Sequence, residues 1–94
     1  MAKKIATEEM NELLEGIVSL NSVDEAYSFF EDLCTINELL AMKQRFEVAK
    51  MLRQDRTYQD IADLTGASTA TISRVKRSLD YGNDGYDMVL SRLS

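Results

Sequence analysis

Residues 68–77 combine the side-chain types that could contact a nucleic acid. Small or hydroxyl-bearing residues stand at Thr69, Ala70 and Ser73, and arginines follow at Arg74 and Arg77. On a helix these positions share one face, so the small residues could approach base edges while the arginines reach guanine or phosphate. The full set of candidate DNA-binding residues is Arg56, Gln59, Ser68, Thr69, Ala70, Ser73, Arg74, Lys76 and Arg77.

These candidates divide by their chemistry. We expect Thr69, Ala70 and Ser73 to face base edges, directly or through water, with Gln59 contributing from the preceding helix. The cations Arg56, Lys76 and Arg77 should mainly contact phosphates, which position a protein on DNA without specifying its sequence, although Arg77 could also contact a base.

The segment that must position these side chains is residues 57–79, which predicts two short helices around a tight turn. Ala62 is small, as a close crossing of the two helices requires, and Gly66 suits a left-handed turn. Ser68 or Thr69 can cap the second helix. Its buried stripe should consist of Ile72, Val75 and Leu79. The pattern is typical of a DNA-binding helix-turn-helix. The alternative is a helical hairpin with a solvated polar face.

Catalytic chemistry has little support in the sequence. Histidine is absent, and Cys34 is the single cysteine, which we expect to be a buried small hydrophobe. The acid pairs Glu8 with Glu12 and Asp60 with Asp63 share helix faces, but such pairs also occur on any solvated helix. With no glycine-rich phosphate loop either, we predict that the chain is not an enzyme and has no metal site.

Length and composition indicate one small domain over residues 1–94. No stretch has transmembrane length, and the start lacks the apolar run of a signal peptide. We therefore expect a cytoplasmic protein without a membrane partner.

Charge is distributed unevenly along the chain, whose net charge is −5. Residues 1–40 hold two basic and nine acidic residues (net −7), and residues 41–79 hold eight and four (net +4). Residues 80–94 hold one basic and three acidic residues (net −2). The basic segment contains the helix-turn-helix, as phosphate binding requires.

Apolar periodicity and capping patterns place the remaining helices. The first should run from Thr7 to about Leu20, the second from the capping box 22–25, and a long central helix from about Asn37 to Arg53 after the box 35–38. A short last helix should carry the apolar residues Tyr86, Val89, Leu90 and Leu93.

Apolar residues cover more of the central helix than one stripe, and the second helix presents Tyr27 and Phe30 as core residues. A chain this small buries a modest core, so some neighbours of these helices should belong to a second copy. We predict an obligate homodimer in which Phe30 and Phe46 are buried.

Leu33 to Leu93 resembles the tryptophan repressor superfamily, and more closely its YerC/YecD-like branch. The residues that carry the resemblance are those of segments 39–46, 49–52, 57–62 and 65–74. The resemblance implies an all-α, six-helix subunit with a helix-turn-helix in an intertwined homodimer. It also implies a transcriptional repressor that binds a palindromic operator in double-stranded DNA. The alternative is a protein-interaction module that uses the fold as a scaffold and its acidic first half as the main surface.

The resemblance also identifies a possible effector pocket. Arg74 and Thr71 match positions on the ligand side of the tryptophan repressor. Gln44 stands where that family has an arginine, with Arg45 adjacent, and Val75 stands where it has a glycine. Since one charged contact is lost and part of the slot is filled, we predict that L-tryptophan is not a corepressor. No cofactor is expected, and the sequence names no other effector.

Overall fold

Six α-helices follow one another in the computed structural model, which describes residues 5–94. Their bounds are α1 Glu8–Val18, α2 Val23–Leu33, α3 Ile36–Arg53, α4 Tyr58–Thr65, α5 Thr69–Tyr81 and α6 Gly85–Leu93. No β-strand occurs within residues 5–94, and the all-α prediction is confirmed. In that same part of the chain, no helix is long and apolar enough to cross a membrane. The helices up to Leu39 form one compact unit, and Leu40–Ser94 form another.

Side-chain caps fix where the first helices begin. The Thr7 hydroxyl accepts a hydrogen bond from the Met10 amide at 3.1 Å and starts α1. Before α3, the Thr35 hydroxyl accepts from the Glu38 amide at 3.1 Å, while the Glu38 carboxylate accepts from the Thr35 amide at 2.8 Å. This confirms the second capping box. The bond from the Thr35 backbone also holds the pKa of Glu38 below its ordinary value.

The first capping box forms in part. The Ser22 hydroxyl accepts from the Glu25 amide at 3.1 Å, as predicted. The Glu25 carboxylate, however, accepts from the Asn21 amide at 2.9 Å. The predicted return bond to Ser22 is therefore wrong, and the carboxylate bonds instead to the amide one residue earlier.

The first unit contains apolar side chains but no buried residue among residues 5–39. Phe29 and Phe30 are partly buried and meet edge to face, with ring centroids 5.6 Å apart. Tyr27, predicted as a core residue, is 64% exposed in the single chain. Cys34 is half-buried, less than we expected from its apolar neighbours.

The second unit holds all the buried hydrophobic residues of the described chain. They are Val48, Ala49, Ile61, Ala67, Ile72, Val75 and Leu79, with Met51, Leu52, Ala62, Tyr86 and Leu90 packed against them. One closed core thus supports α4 and α5. The small side chain of Ala62 lies at its edge, consistent with the predicted close approach of these helices.

The central helix α3 is buried over a narrower face than its sequence suggests. Val48 and Ala49 are fully buried, whereas Leu40 and Met42 are exposed and Phe46 is half-buried. Within a single chain, the remaining apolar surface of α3 therefore stays accessible to solvent.

Candidate nucleic-acid interface

The turn between α4 and α5 is held by Gly66 and Thr65. Gly66 adopts a left-handed conformation with φ of +73°, and its amide donates to the Ala62 carbonyl at 2.9 Å. The Thr65 hydroxyl donates to the Ile61 carbonyl at 2.6 Å and accepts from the Ala67 amide at 3.1 Å. These bonds satisfy backbone groups at the end of α4 and fix the path of the chain into α5.

Helix α5 has one buried and one exposed face. Ser68 is its N-cap, with a hydroxyl that accepts from the Thr71 amide at 3.1 Å. The predicted buried stripe of Ile72, Val75 and Leu79 is confirmed. Because α5 ends at Tyr81, the motif extends two residues beyond the predicted limit at Leu79.

All nine candidate DNA-binding residues lie at the surface. Seven belong to α5 or its cap, while Arg56 precedes α4 and Gln59 lies on its first turn. The exposed residues are Arg56, Gln59, Ser68, Thr69, Ala70, Ser73, Arg74, Lys76 and Arg77. Their joint exposure on one motif keeps the whole set available for a ligand, and their roles remain predictions.

Two of these residues bond to an acid one turn later on the same helix. The Gln59 amide nitrogen donates to a carboxylate oxygen of Asp63 at 2.9 Å on α4. On α5, the Lys76 ammonium lies 3.0 Å from a carboxylate oxygen of Asp80. Neither acid is among the partners predicted from the sequence, although four-residue spacing on a helix is a sufficient signal for both pairs.

The basic residues of the motif are confined to its second helix, α5. Residues 57–81 contain three acidic and three basic residues, so their summed charge is zero. The basic residues all lie on α5, which alone among the six helices has no acid in its first turn. The α5 N-terminus therefore presents an uncompensated helix dipole, which favours an anion.

The residues of the possible effector pocket are placed differently from one another. The Gln44 amide nitrogen donates to the Thr65 carbonyl at 3.2 Å, linking α3 to the end of α4. Val75 is 2% exposed and belongs to the core, and Thr71 is half-buried with its hydroxyl accepting from Ser68. The charged candidates Arg45 and Arg74 are exposed. Gln44 and Val75 thus already have partners within the chain.

A second inter-helix link lies at the other end of α5. Arg53 forms two hydrogen bonds with the Asp87 carboxylate, of 2.5 and 2.8 Å, and its guanidinium reaches the Leu79 carbonyl at 3.5 Å. These bonds raise the pKa of Arg53 and lower the pKa of Asp87. The link connects α3, α5 and α6. No sequence signal identified it, since the two charged residues are 34 positions apart.

Comparisons with known proteins agree with this architecture. A profile of the family described as Trp repressor protein matches residues 8–94. The uncharacterised protein YerC of Bacillus subtilis (strain 168) is 56% identical over 90 residues, which cover 96% of this chain and 86% of YerC.

Two crystal structures have the same fold. A TrpR-like protein from Eubacterium eligens matches with a TM-score of 0.94 at 66% identity, covering 97% of this chain and 94% of the other. A Staphylococcus aureus protein described as a candidate Trp repressor gives 0.95 at 50% identity, covering 99% and 94%. The resemblance found in the sequence is therefore confirmed.

Proposed function

Since the chain belongs to the Trp repressor protein family, we propose that it is a sequence-specific DNA-binding regulator that represses transcription as a homodimer. The observation that carries this proposal is the exposed face of α5, which combines small, hydroxyl and cationic side chains on a helix anchored by a closed core. An enzymatic role has no support in the arrangement of this site.

The two chemical groups of candidates have separate roles in this proposal. Thr69, Ala70 and Ser73 are small enough for α5 to enter the major groove with its N-terminus first. The α5 dipole and the cations Arg56 and Arg77 hold phosphates on either side of the groove. Lys76 contributes less than a free lysine would, because Asp80 neutralises part of its charge.

The proposed partner within the assembly is a second copy of the chain. In residues 40–94, an apolar cleft of about 440 Å³ is lined by Phe46, Tyr86 and Val89, together with Ser78, Gly82, Asn83 and Gly85. In the first unit, Val18 is 82% exposed beside the partly buried Leu13 and Ile17. Both surfaces need apolar cover, which a symmetric partner could supply. A two-fold dimer would recognise a palindromic operator with one motif per half-site.

The test is a selection of bound fragments from a random DNA library, followed by mobility-shift titration at several salt concentrations. We expect one enriched palindromic sequence and a dissociation constant that increases steeply with salt. Binding that is equal for enriched and random DNA would contradict the proposal. That outcome would instead favour an interaction module that uses the acidic N-terminal half.

Two α5 variants separate base recognition from phosphate binding. Replacing Ala70 with Val should alter the selected sequence, because the added methyl groups project toward base edges. Replacing Lys76 with Ala should weaken binding to all sequences and reduce the salt slope by about one unit or less. The double variant Lys76→Ala with Asp80→Ala is the control, since it removes both charges of the pair. Equal effects of the single variants on enriched and random DNA would contradict the assignment.

We further propose that DNA binding needs no tryptophan. Gln44 replaces a positive charge and already donates to the Thr65 carbonyl, while Val75 fills core space. Losing a charged hydrogen bond costs about 1.5–3 kcal/mol, or roughly tenfold to more than a hundredfold in affinity. Calorimetric titration with L-tryptophan should give no saturable signal. A dissociation constant below about 100 μM, a binding free energy of roughly −5.5 kcal/mol, together with tighter DNA binding would overturn this statement.

We also propose that the protein is located in the cytoplasm, because a regulator of transcription must reach DNA. Fractionation of cells that express the chain should recover it with the cytoplasmic and nucleoid fractions.

A further inference from the structure

The Gln59–Asp63 pair on α4 fixes the orientation of an amide at the candidate interface. The Gln59 nitrogen and one carboxylate oxygen of Asp63 are 2.9 Å apart, and both side chains are exposed. An ionised carboxylate can only accept hydrogen bonds, so the amide must present its nitrogen to Asp63 and not its oxygen. The choice between the two amide orientations is thereby made by the neighbouring residue.

The helix dipole does not favour an aspartate at this position. Asp63 lies in the last turn of α4, which ends at Thr65, and negative charge is unfavourable at the C-terminal end of a helix dipole. Within the described part of the chain, Asp63 forms no ion pair with a lysine or arginine. An uncompensated negative charge near the phosphate backbone also opposes DNA binding. The charge of Asp63 is therefore unfavourable for the helix dipole and for a DNA ligand, and among its described contacts only the hydrogen bond with Gln59, which stabilises a helix weakly at this spacing, offsets that charge.

We propose that Asp63 is a positioning residue that orients Gln59 for the recognition of adenine. With one N–H engaged by Asp63, Gln59 retains a second N–H and its carbonyl oxygen. Adenine presents an acceptor at N7 and a donor at N6 in the major groove, and glutamine forms a bidentate pair with these two atoms. Pre-orientation removes the alternative amide rotamer and reduces the entropy cost of forming that pair. This inference rests on the proposed function, since it requires that Gln59 faces a base.

The Lys76–Asp80 pair on α5 provides an internal comparison. It has the same four-residue spacing and a similar distance, but its donor is an ammonium group that contacts any phosphate equally well. Loss of Asp80 should change affinity for all DNA and leave base preference intact. Loss of Asp63 should change base preference, and affinity for random DNA should stay the same or increase because a repulsive charge is removed.

The experiment measures the affinity of the full chain for its selected operator and for variants with each base replaced in turn, by fluorescence anisotropy at fixed salt. The protein variants are Gln59→Ala, Asp63→Ala, Asp63→Asn, the Gln59→Ala with Asp63→Ala double variant, and Asp80→Asn. For the unchanged protein, we expect roughly 5- to 100-fold preference for adenine at one position of each half-site, lost in Gln59→Ala.

In Asp63→Ala that preference should fall by about three- to tenfold, while binding to random DNA is unchanged or tighter. Asp63→Asn should give an intermediate preference, because asparagine can accept from the Gln59 nitrogen but can also donate to the Gln59 oxygen and so permits both amide orientations. The double variant should show no further loss beyond Gln59→Ala, as expected for two residues that act as a unit. Thermal unfolding should show Asp63→Ala folded with nearly unchanged stability, because loss of the hydrogen bond and relief of the helix dipole offset each other.

Three outcomes would overturn the role of Asp63. One is an adenine preference that persists in Asp63→Ala, and another is an equal weakening of operator and random DNA. The third is a preferred base at the Gln59-dependent position other than adenine. A chain that selects no operator at all would refute the proposed function itself, and that result is distinct from the three above.

Discussion

The two compact units both contain helices with apolar side chains but bury those side chains to different extents. In Leu40–Ser94, seven hydrophobic residues form a closed core beneath α4 and α5. In the described residues up to Leu39, the helices α1 and α2 are amphipathic, yet neither contains a buried residue. Periodicity therefore identifies a face that can be buried, whereas the burial itself depends on what packs against that face.

Because only the second unit has buried residues, the two units differ in what they need to keep their structure. A helix-turn-helix with its own core can keep its geometry within one chain. The amphipathic α1 and α2 contain no buried residue, and in the proposed dimer the second copy would cover their apolar stripes. The loss of stability caused by a mutation in the first unit should consequently depend on protein concentration more strongly than the loss caused by a mutation in the second unit.

Replacing Phe30 with Ala should have the largest effect if a second copy completes the burial of this ring. We expect a loss of about 3–5 kcal/mol for a fully buried phenylalanine. The loss should appear as dissociation on dilution, since folding and association would be coupled. Light scattering and chemical unfolding at several concentrations are the measurements. A folded monomer of the unchanged chain at micromolar concentration would exclude the obligate dimer.

Replacing Ile61 with Ala should destabilise the second unit by about 2–5 kcal/mol, because this side chain is 0% exposed and no collapse can refill the space fully. Urea unfolding gives the free energy of unfolding directly. The matched control is Leu64→Ala on the same helix, whose side chain is exposed. Similar losses for the two variants would contradict the position of the core.

Replacing Gly66 with Ala should cost about 1 kcal/mol, because alanine is strained at a φ of +73°. No heavy atom outside the immediate backbone lies within 4 Å of an added Cβ, so steric overlap contributes nothing. Gly66→Asn should cost less, since asparagine tolerates the left-handed conformation. The midpoint of thermal unfolding for the two variants provides the measurement.

The smallest effects on stability should be those of pH. Among the described residues, each unit has one carboxylate with a lowered pKa. The pKa of Asp87 is lowered by its hydrogen bonds from Arg53, and the pKa of Glu38 by the bond from the Thr35 backbone. A lowered folded pKa stabilises the protein above the unfolded value and loses that contribution as pH falls through the folded value.

Stability should therefore decline below about pH 4, near the ordinary pKa of these groups. Asp87→Asn should flatten the decline for the second unit, and Glu38→Gln should flatten it for the first. Acid titration followed by circular dichroism measures both. A decline that keeps its slope in each variant would show that these pairs do not control acid stability.

Local signals predicted the helices well because caps and turns are encoded within a few residues. Thr7 begins α1 as expected, and α3 begins one residue before the predicted Asn37. Gly66 and the stripe on α5 also follow from short-range spacing. Glu25 is an exception, since its carboxylate bonds to Asn21 instead of Ser22.

Contacts between distant residues could not be predicted in the same way. The Arg53–Asp87 pair joins α3 to α6, and the Gln44–Thr65 bond joins α3 to α4. Nothing in the local sequence around Gln44 indicates that its amide reaches the turn. The exposure of Tyr27 was also missed, because helical spacing cannot tell whether a neighbour within the same chain covers the ring.

The Gln44–Thr65 hydrogen bond bears on what a repressor of this kind would sense. The bond holds the turn that precedes α5 with a side chain of the chain itself, so in the function proposed above no metabolite would be required to position that helix. The input of the repressor would be its own abundance, and operator occupancy would rise with the square of monomer concentration while the dimer is scarce. The concentration of such a regulator depends on how fast it is synthesised and how fast growth dilutes it. Its gene dosage and the growth rate of the cell would therefore set the fraction of operator that is occupied.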